Sequence, residues 1–194
     1  MMAMWFRRSR AWWCAGLMVL LLGACATPQR IGSGAAGDAF ERTGRFALNV
    51  QYFGGKRDAV QGGFAWHDNG RALMLDLANP LGSTLARVDV TPGQAVLTRS
   101  NGEREQAAHP DALLELVLGS PMPVAGLRDW LQGKTGEAAV QGLQKNEQGQ
   151  VTAFSQDGWR VQLSRFDQLG PRLLQLQRHD TNRDISLRLV VDSD

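Results

Sequence analysis

Cysteine is almost missing from this chain: 194 residues carry two, Cys14 and Cys25, both within the first 25. Beyond Cys25 there is no thiol, which excludes a disulfide framework and a cysteine metal site from the body of the protein. Histidine is scarce too. His67, His109 and His179 stand far apart in polar or turn-like surroundings, without His-Glu-x-x-His or comparable spacing, so no metal ligand set is legible. No Gly-x-Ser-x-Gly elbow presents a nucleophile. No glycine loop is placed to cradle phosphate, since Gly54-Gly55 and Gly62-Gly63 read as bends or bulges flanking strands. The acid pair Glu103 and Glu105 lies in a charged hairpin and reads as solvated surface. These absences predict a protein that is not an enzyme and carries no cofactor.

A long apolar run is lacking as well. The longest leader stretch, Ala11 to Leu22, falls short of the ~20 residues a bilayer-spanning helix needs. It is preceded by Arg7, Arg8 and Arg10 and followed by Leu22-Gly23-Ala24-Cys25, which is the three-zone order of a signal peptide. Its ending resembles the bacterial lipobox, whose cysteine is acylated and becomes the first mature residue. The expectation is a leader over 1–24, a lipid on Cys25 and a tether over 25–38, rich in Gly, Ser and Ala. The competing reading makes Cys25 an ordinary small residue after an ordinary leader. Ala26, where the sorting rule of Gram-negative lipoproteins retains proteins bearing Asp at the inner membrane, directs this one to the outer membrane with its domain facing the periplasm.

Charge of one sign is also lacking. The formal net charge is +2, but the leader holds three arginines and no acid, leaving 18 basic against 19 acidic residues. No basic stripe remains for nucleic acid. The 39–194 segment suffices for one core and is too short for two comfortable domains.

What is abundant is alternation. Phe46, Leu48, Val50 and Tyr52 take every second place, as do Phe64 and Trp66, then Leu73, Leu75 and Leu77, then Ala86, Val88 and Val90, and finally Ile185, Leu187, Leu189 and Val191. Period two describes half-buried antiparallel strands. Asp68-Asn69-Gly70, Asn101-Gly102, Gln148-Gly149 and Asp157-Gly158 supply the turns between them. Together they predict a meander, closed or nearly so. Two helical stripes interrupt it, at Pro110–Leu118 before Gly119 and at Pro123–Gln132 before Gly133, each with proline at the start and glycine past the end. Their apolar sides need a surface, and the open mouth or concave face of the sheet is the one available. The apolar residues describe either a filled core or, beneath a helical lid, a concave face that keeps room for an apolar ligand. On the second reading the inward strand faces and lid stripe nominate Phe46, Leu48, Phe64, Trp66, Leu75, Leu77 and Trp130 as its lining.

Asn79-Pro80-Leu81-Gly82-Ser83-Thr84 is more particular. Asn79 at position i, Pro80 at i+1 and Gly82 at i+3 are the preferences of a type I turn, with Leu81 near a hairpin apex, either folded back or pointing out. This hexapeptide follows Phe64 and Trp66. After it, in order, come Leu118-Gly119-Ser120-Pro121-Met122-Pro123-Val124, Leu127-Arg128-Asp129-Trp130-Leu131-Gln132-Gly133 and Gln156-Asp157-Gly158-Trp159. With the lipobox, the set resembles the LolB family of outer-membrane lipoproteins over about Phe40 to Val191. The chain ends Val191-Asp192-Ser193-Asp194, without the terminal tryptophan associated with that family, and its tether has no tryptophan before the first strand.

The resemblance implies a mainly β fold, an unclosed antiparallel β-barrel with a short helical lid enclosing an apolar cavity. It implies a monomer that receives lipoproteins from the periplasmic carrier LolA, holds their acyl chains and inserts them into the inner leaflet of the outer membrane. It also turns Leu81 outward, because the matching leucine belongs to a protruding membrane-insertion loop, here Asn79, Pro80, Leu81 and Gly82. The residues alone admit a second function, an assembly lipoprotein with a solid β core that docks another envelope protein. An enzyme with an unfamiliar site is a third.

Because tether and cavity are separate, Cys25→Ala is expected to release a folded protein from the membrane that still takes up acyl cargo. Mass spectrometry of the membrane-bound protein checks the premise: an unmodified Cys25 thiol there rules it out.

Overall fold

Alternation does become strand in the computed structural model, which describes residues 39–193. The expected leader 1–24, the tether 25–38 and Cys25 lie outside the described residues. Six strands come first: β1 (Phe40–Tyr52), β2 (Arg57–Asp68), β3 (Leu73–Ala78), β4 (Thr84–Thr91), β5 (Gln94–Arg99) and β6 (Arg104–Ala107). Two helices follow, α1 (Pro110–Leu118) and α2 (Val124–Trp130). Five strands complete the chain: β7 (Gln141–Lys145), β8 (Val151–Gln156), β9 (Trp159–Phe166), β10 (Pro171–His179) and β11 (Arg183–Val191).

All eleven strands form one antiparallel sheet in the order β6-β5-β4-β3-β2-β1-β11-β10-β9-β8-β7. Every neighbour is also a sequence neighbour except one pair: β1 lies against β11, with Gly44 opposite Val191 and Tyr52 opposite Arg183. The ring stays open between β6 and β7, and α1 and α2 occupy the chain between those two edges. This is the expected unclosed barrel with helices on one side.

The inward face follows the period. In β1 the residues from Arg42 to Val50 at even positions are buried, while Glu41, Thr43, Arg45 and Asn49 face water. Leu73, Leu75 and Leu77 of β3, Ala86 and Val88 of β4, and Ile185, Leu187, Leu189 and Val191 of β11 continue the same face into a single apolar cluster. Burying a side chain of this kind contributes roughly 1.5–3 kcal/mol, and no disulfide supplements it beyond Cys25.

Gly62 and Gly63 are not bends beside a strand, as expected from sequence, but lie within β2. A Cβ at Gly62 would collide with the Ala78 carbonyl oxygen and come 3.3 Å from the Phe46 ring, its cross-strand partner. Gly44 repeats the arrangement with Phe64, whose ring would lie 2.9 Å from an added Cβ. Two glycines thus make room for two phenylalanines on the concave face, where a curved sheet has least space. The second helix is also shorter than its stripe, because Pro123 occupies the capping position and not the first turn, and regular helix ends at Trp130.

Sequence gave no sign of one inward polar residue. Arg42 is buried in β1 and forms a two-pronged pair with Asp167 in the β9–β10 turn, at 2.7 and 2.8 Å. The guanidinium, helped by the amides of Leu169 and Gly170, lowers the Asp167 carboxyl from 3.8 to about 2. A depressed carboxyl stabilises the fold above its unfolded value, and that contribution is lost as pH falls from about 3.8 through about 2. Asp167→Asn is expected to cost about 2 kcal/mol at pH 7 in urea unfolding. The difference from wild type should shrink toward zero at the acid end of that window.

Candidate functional site

Helix α1 begins with Pro110, whose missing N–H costs nothing in a first turn, and ends at Gly119 in the left-handed conformation (φ 67°), with the Gly119 amide donating to the Glu115 carbonyl. Its stripe, Leu113, Leu114 and Leu118, is buried over β4, β5 and β6. Helix α2 starts less favourably. Pro123 has no side chain that can cap, and Asp111 of the first helix substitutes by accepting from the Ala125 amide at 3.1 Å. Burial raises the Asp111 carboxyl above its ordinary value, opposed by the Ala125 and Val124 amides. The two helices are therefore joined end to end by one carboxylate.

The apolar side of α2 reaches the second half of the sheet. Trp130 is fully buried and meets the Phe154 ring of β8 edge to face, centroids 5.9 Å apart. Its indole Nε1 donates to Gln156 Oε1 at 2.9 Å, and Gln156 Nε2 donates in turn to the carbonyls of Gly136 and Ala138. The other side of α2 reaches the first half. Arg128 grips Asp68 at the end of β2, with Nε donating to Oδ2 at 2.5 Å and Nη2 to Oδ1 at 2.7 Å. Asp68 is buried, and its contact holds the Arg128 guanidinium protonated more firmly than usual. A helix of seven residues thus links β2 of the first half of the sheet to β8 of the second through one indole and one ion pair.

All seven nominated lining residues point inward. Phe46 and Leu48 of β1, Phe64 and Trp66 of β2, Leu75 and Leu77 of β3, and Trp130 of α2 are each buried in the one apolar cluster. Surface clefts of ≈ 480, 420, 410 and 310 Å³ lie elsewhere, and of the seven only Phe46 borders one of these.

The Asn79–Gly82 segment is built as its residues dictate. The Gly82 amide donates to the Asn79 carbonyl at 2.9 Å, which closes the turn, and Gly82 then takes φ 86°. Asn79 Oδ1 accepts from the amides of Leu81 and Ser83, at 2.9 and 3.0 Å. The Asn79 amide and the Ser83 carbonyl seal the base at 2.9 Å. Held this way, Leu81 cannot fold back: it is 91% exposed, the largest exposure among the large apolar side chains of the described residues.

The sequence names Asp68 in a turn and Arg128 and Gln156 within family-like motifs, but it marks neither their pairing nor that of Asp111 as what positions the helices. They pair across 60 residues for Arg128 with Asp68 and 26 for Trp130 with Gln156, and no local pattern marks such partners. The turn at Asp68-Asn69-Gly70 was the one available hint, but it accounts for Asp68 only as acceptor from the Gly70 amide.

The family model for the outer membrane lipoprotein LolB matches residues 38–193. Among curated proteins, the outer-membrane lipoprotein LolB of Bordetella pertussis is 55% identical over 176 residues, covering 90% of this chain and 88% of its own. The Bordetella bronchiseptica protein of the same name is 54% identical over 187 residues, with 96% and 94% covered. That of Cupriavidus necator is 40% identical over 192 residues, with 95% and 96% covered.

Asp68→Asn keeps the acceptor for the Gly70 amide and removes the charge that holds Arg128. Hydrogen exchange of the α2 amides should quicken by the loss of about 1–3 kcal/mol of local protection, with the β1 and β2 amides unchanged. Equal acceleration throughout the sheet would mean that the pair supports the whole fold and not the helix.

Proposed function

This chain belongs to the LolB family of outer-membrane lipoproteins, which act in lipoprotein localisation, and from that footing we propose that it accepts lipoproteins from the periplasmic carrier LolA and inserts them into the inner leaflet of the outer membrane. Their acyl chains occupy the space between the concave sheet face and the α1–α2 cover.

The observation that carries this reading is the bridge of α2 between the two halves of the sheet, held by the Asp68–Arg128 pair and by Trp130. The seven lining residues already touch apolar neighbours, so cargo enters by exchange: the helix stripe withdraws and acyl chains replace it. Interiors are close-packed, and swapping one apolar filling for another of similar volume changes little free energy. A shallow exchange is what a relay requires. Three acyl chains amount to about 40 methylenes, and exposing them to water would cost roughly 30 kcal/mol at ~0.8 kcal/mol each. Handover must therefore run from apolar site to apolar site to bilayer, each step slightly downhill, and a few kcal/mol suffices for direction since 1.4 kcal/mol is tenfold.

Leu81 serves the last step. On entering hydrocarbon it gains roughly 1.5–3 kcal/mol, little beside a lipid anchor, but enough to turn the open barrel toward the bilayer. The Asn79 carboxamide oxygen, by fixing the turn, keeps that side chain presented without the ordering cost a flexible loop would carry.

Leu81→Glu is expected to fold normally and to accept cargo from loaded carrier at near wild-type level. Delivery into liposomes should fall at least tenfold. Transfer assays scored separately for acceptance and delivery decide the matter, and equal loss of both would assign Leu81 to carrier docking.

A further inference from the structure

Beside the Leu81 loop lies a cleft of ≈ 410 Å³, of whose lining the acyl-chain reading uses only Phe46. It opens where β3 stops at Ala78 while β2 continues alongside β1 alone. We infer that this cleft binds the phosphodiester of a bilayer phospholipid, a second lipid contact that shares only Phe46 with the nominated cargo lining.

The residues argue for an anion attached to an apolar body. Arg45 stands on its rim, on the outward face of β1, and enters no ion pair among the described residues. No carboxylate borders the cleft, and Asp76 of the neighbouring strand is spent on Arg87 at 2.6 Å. Gln61 and Asn79 add carboxamides. The Asn79 oxygen is occupied by the Leu81 and Ser83 amides, which leaves its NH₂ group to donate. Phe46, Ala78 and Pro80 supply the apolar part of the lining.

The glycines make the space. Arg45 faces Gly63 across the β1–β2 ladder, so no side chain fills the place beside the guanidinium. A fork of N–H donors in a partly apolar lining suits a phosphate whose glycerol ester continues into hydrocarbon. Its position gives the source: the cleft shares Asn79, Pro80 and Gly82 with the loop that presents Leu81. When Leu81 enters the acyl region, the groups beside the loop base come to headgroup depth. That orientation rests on the membrane role proposed for Leu81; the binding chemistry does not.

Nuclear magnetic resonance of the Cys25→Ala chain tests the site, reading the Arg45 Nε–H and the Gly62 and Gly63 amides. The probes are dihexanoyl phosphatidylglycerol below its micelle concentration, inorganic phosphate, and dihexanoylglycerol. Saturable shifts at these three positions are expected with the phospholipid, and binding about tenfold weaker with either of the other two. Arg45→Gln should weaken phospholipid binding about tenfold, the usual scale for a charge-assisted hydrogen bond. Gly63→Val is the independent check, because its Cβ meets only ordinary contacts at 3.6 and 3.9 Å and the branch fills the cleft with Arg45 intact; it should block binding likewise. Undiminished binding in Arg45→Gln, or equal affinity for dihexanoylglycerol, overturns the proposal, and equal affinity for inorganic phosphate replaces the lipid by a free anion. Monomeric lipid needs neither a bilayer nor Leu81. Failure here therefore leaves the delivery role standing, and normal delivery by Leu81→Glu would remove that role alone.

Discussion

The pairing of β1 with β11 is the constraint on which the architecture depends. Every other ladder joins strands adjacent in sequence and could form as a local hairpin, whereas this one brings Gly44 to Val191 and Tyr52 to Arg183. Two meanders, β1–β6 and β7–β11, become one sheet only through it. Once they are joined at the chain's ends, the remaining opening must fall at the middle of the sequence, between β6 and β7. The residues between those strands are the ones that form α1 and α2. Connectivity alone thus brings the cover to the gap. The loop-closure entropy of this long-range contact is offset by the buried rows Phe46, Leu48 and Val50 facing Leu189, Leu187 and Ile185.

Polar residues then determine how firmly the cover sits. Replacing a buried ion pair with apolar groups can hold a seam at least as tightly, whereas removing one partner leaves a buried charge uncompensated. Asp68 with Arg128 is such a pair, one partner buried and the other about a third exposed to solvent. The Arg42–Asp167 pair, by contrast, ties sheet to sheet turn and has no part in the cover. Two ion pairs of similar geometry thus serve different purposes, set by whether the partner belongs to a strand turn or to a seven-residue helix.

The strand faces were legible because their signal is local and repeated. Phe46, Leu48, Leu75 and Leu77 alternate with polar neighbours, and a slip by one residue would have turned all of them to water. The Asn79–Gly82 turn was legible because each of its positions has a steric or hydrogen-bonding preference of its own, and Leu81 follows from the three around it. What stayed hidden was non-local. Arg42 and Asp167 are 125 residues apart, and nothing near either distinguishes it from a surface charge. Gly62 was misread for a related reason: a glycine pair looks like a bend until its cross-strand phenylalanine is known. β7 escaped notice because Gln141–Lys145 has no alternation to detect, being exposed along its whole length.

That last strand bears on the protein's neighbours. Its ladder with β8 slips on both sides of Gln144, and Gly142 adopts φ 63°, so the free edge is kinked and does not offer an even row of donors and acceptors. Lipoproteins confined to one leaflet meet each other at far higher effective concentration than freely diffusing ones. A straight edge under such crowding would recruit the edge of the next copy and seed a ribbon. The irregular edge of β7 is a poor template for such strand addition, whatever the crowding around it.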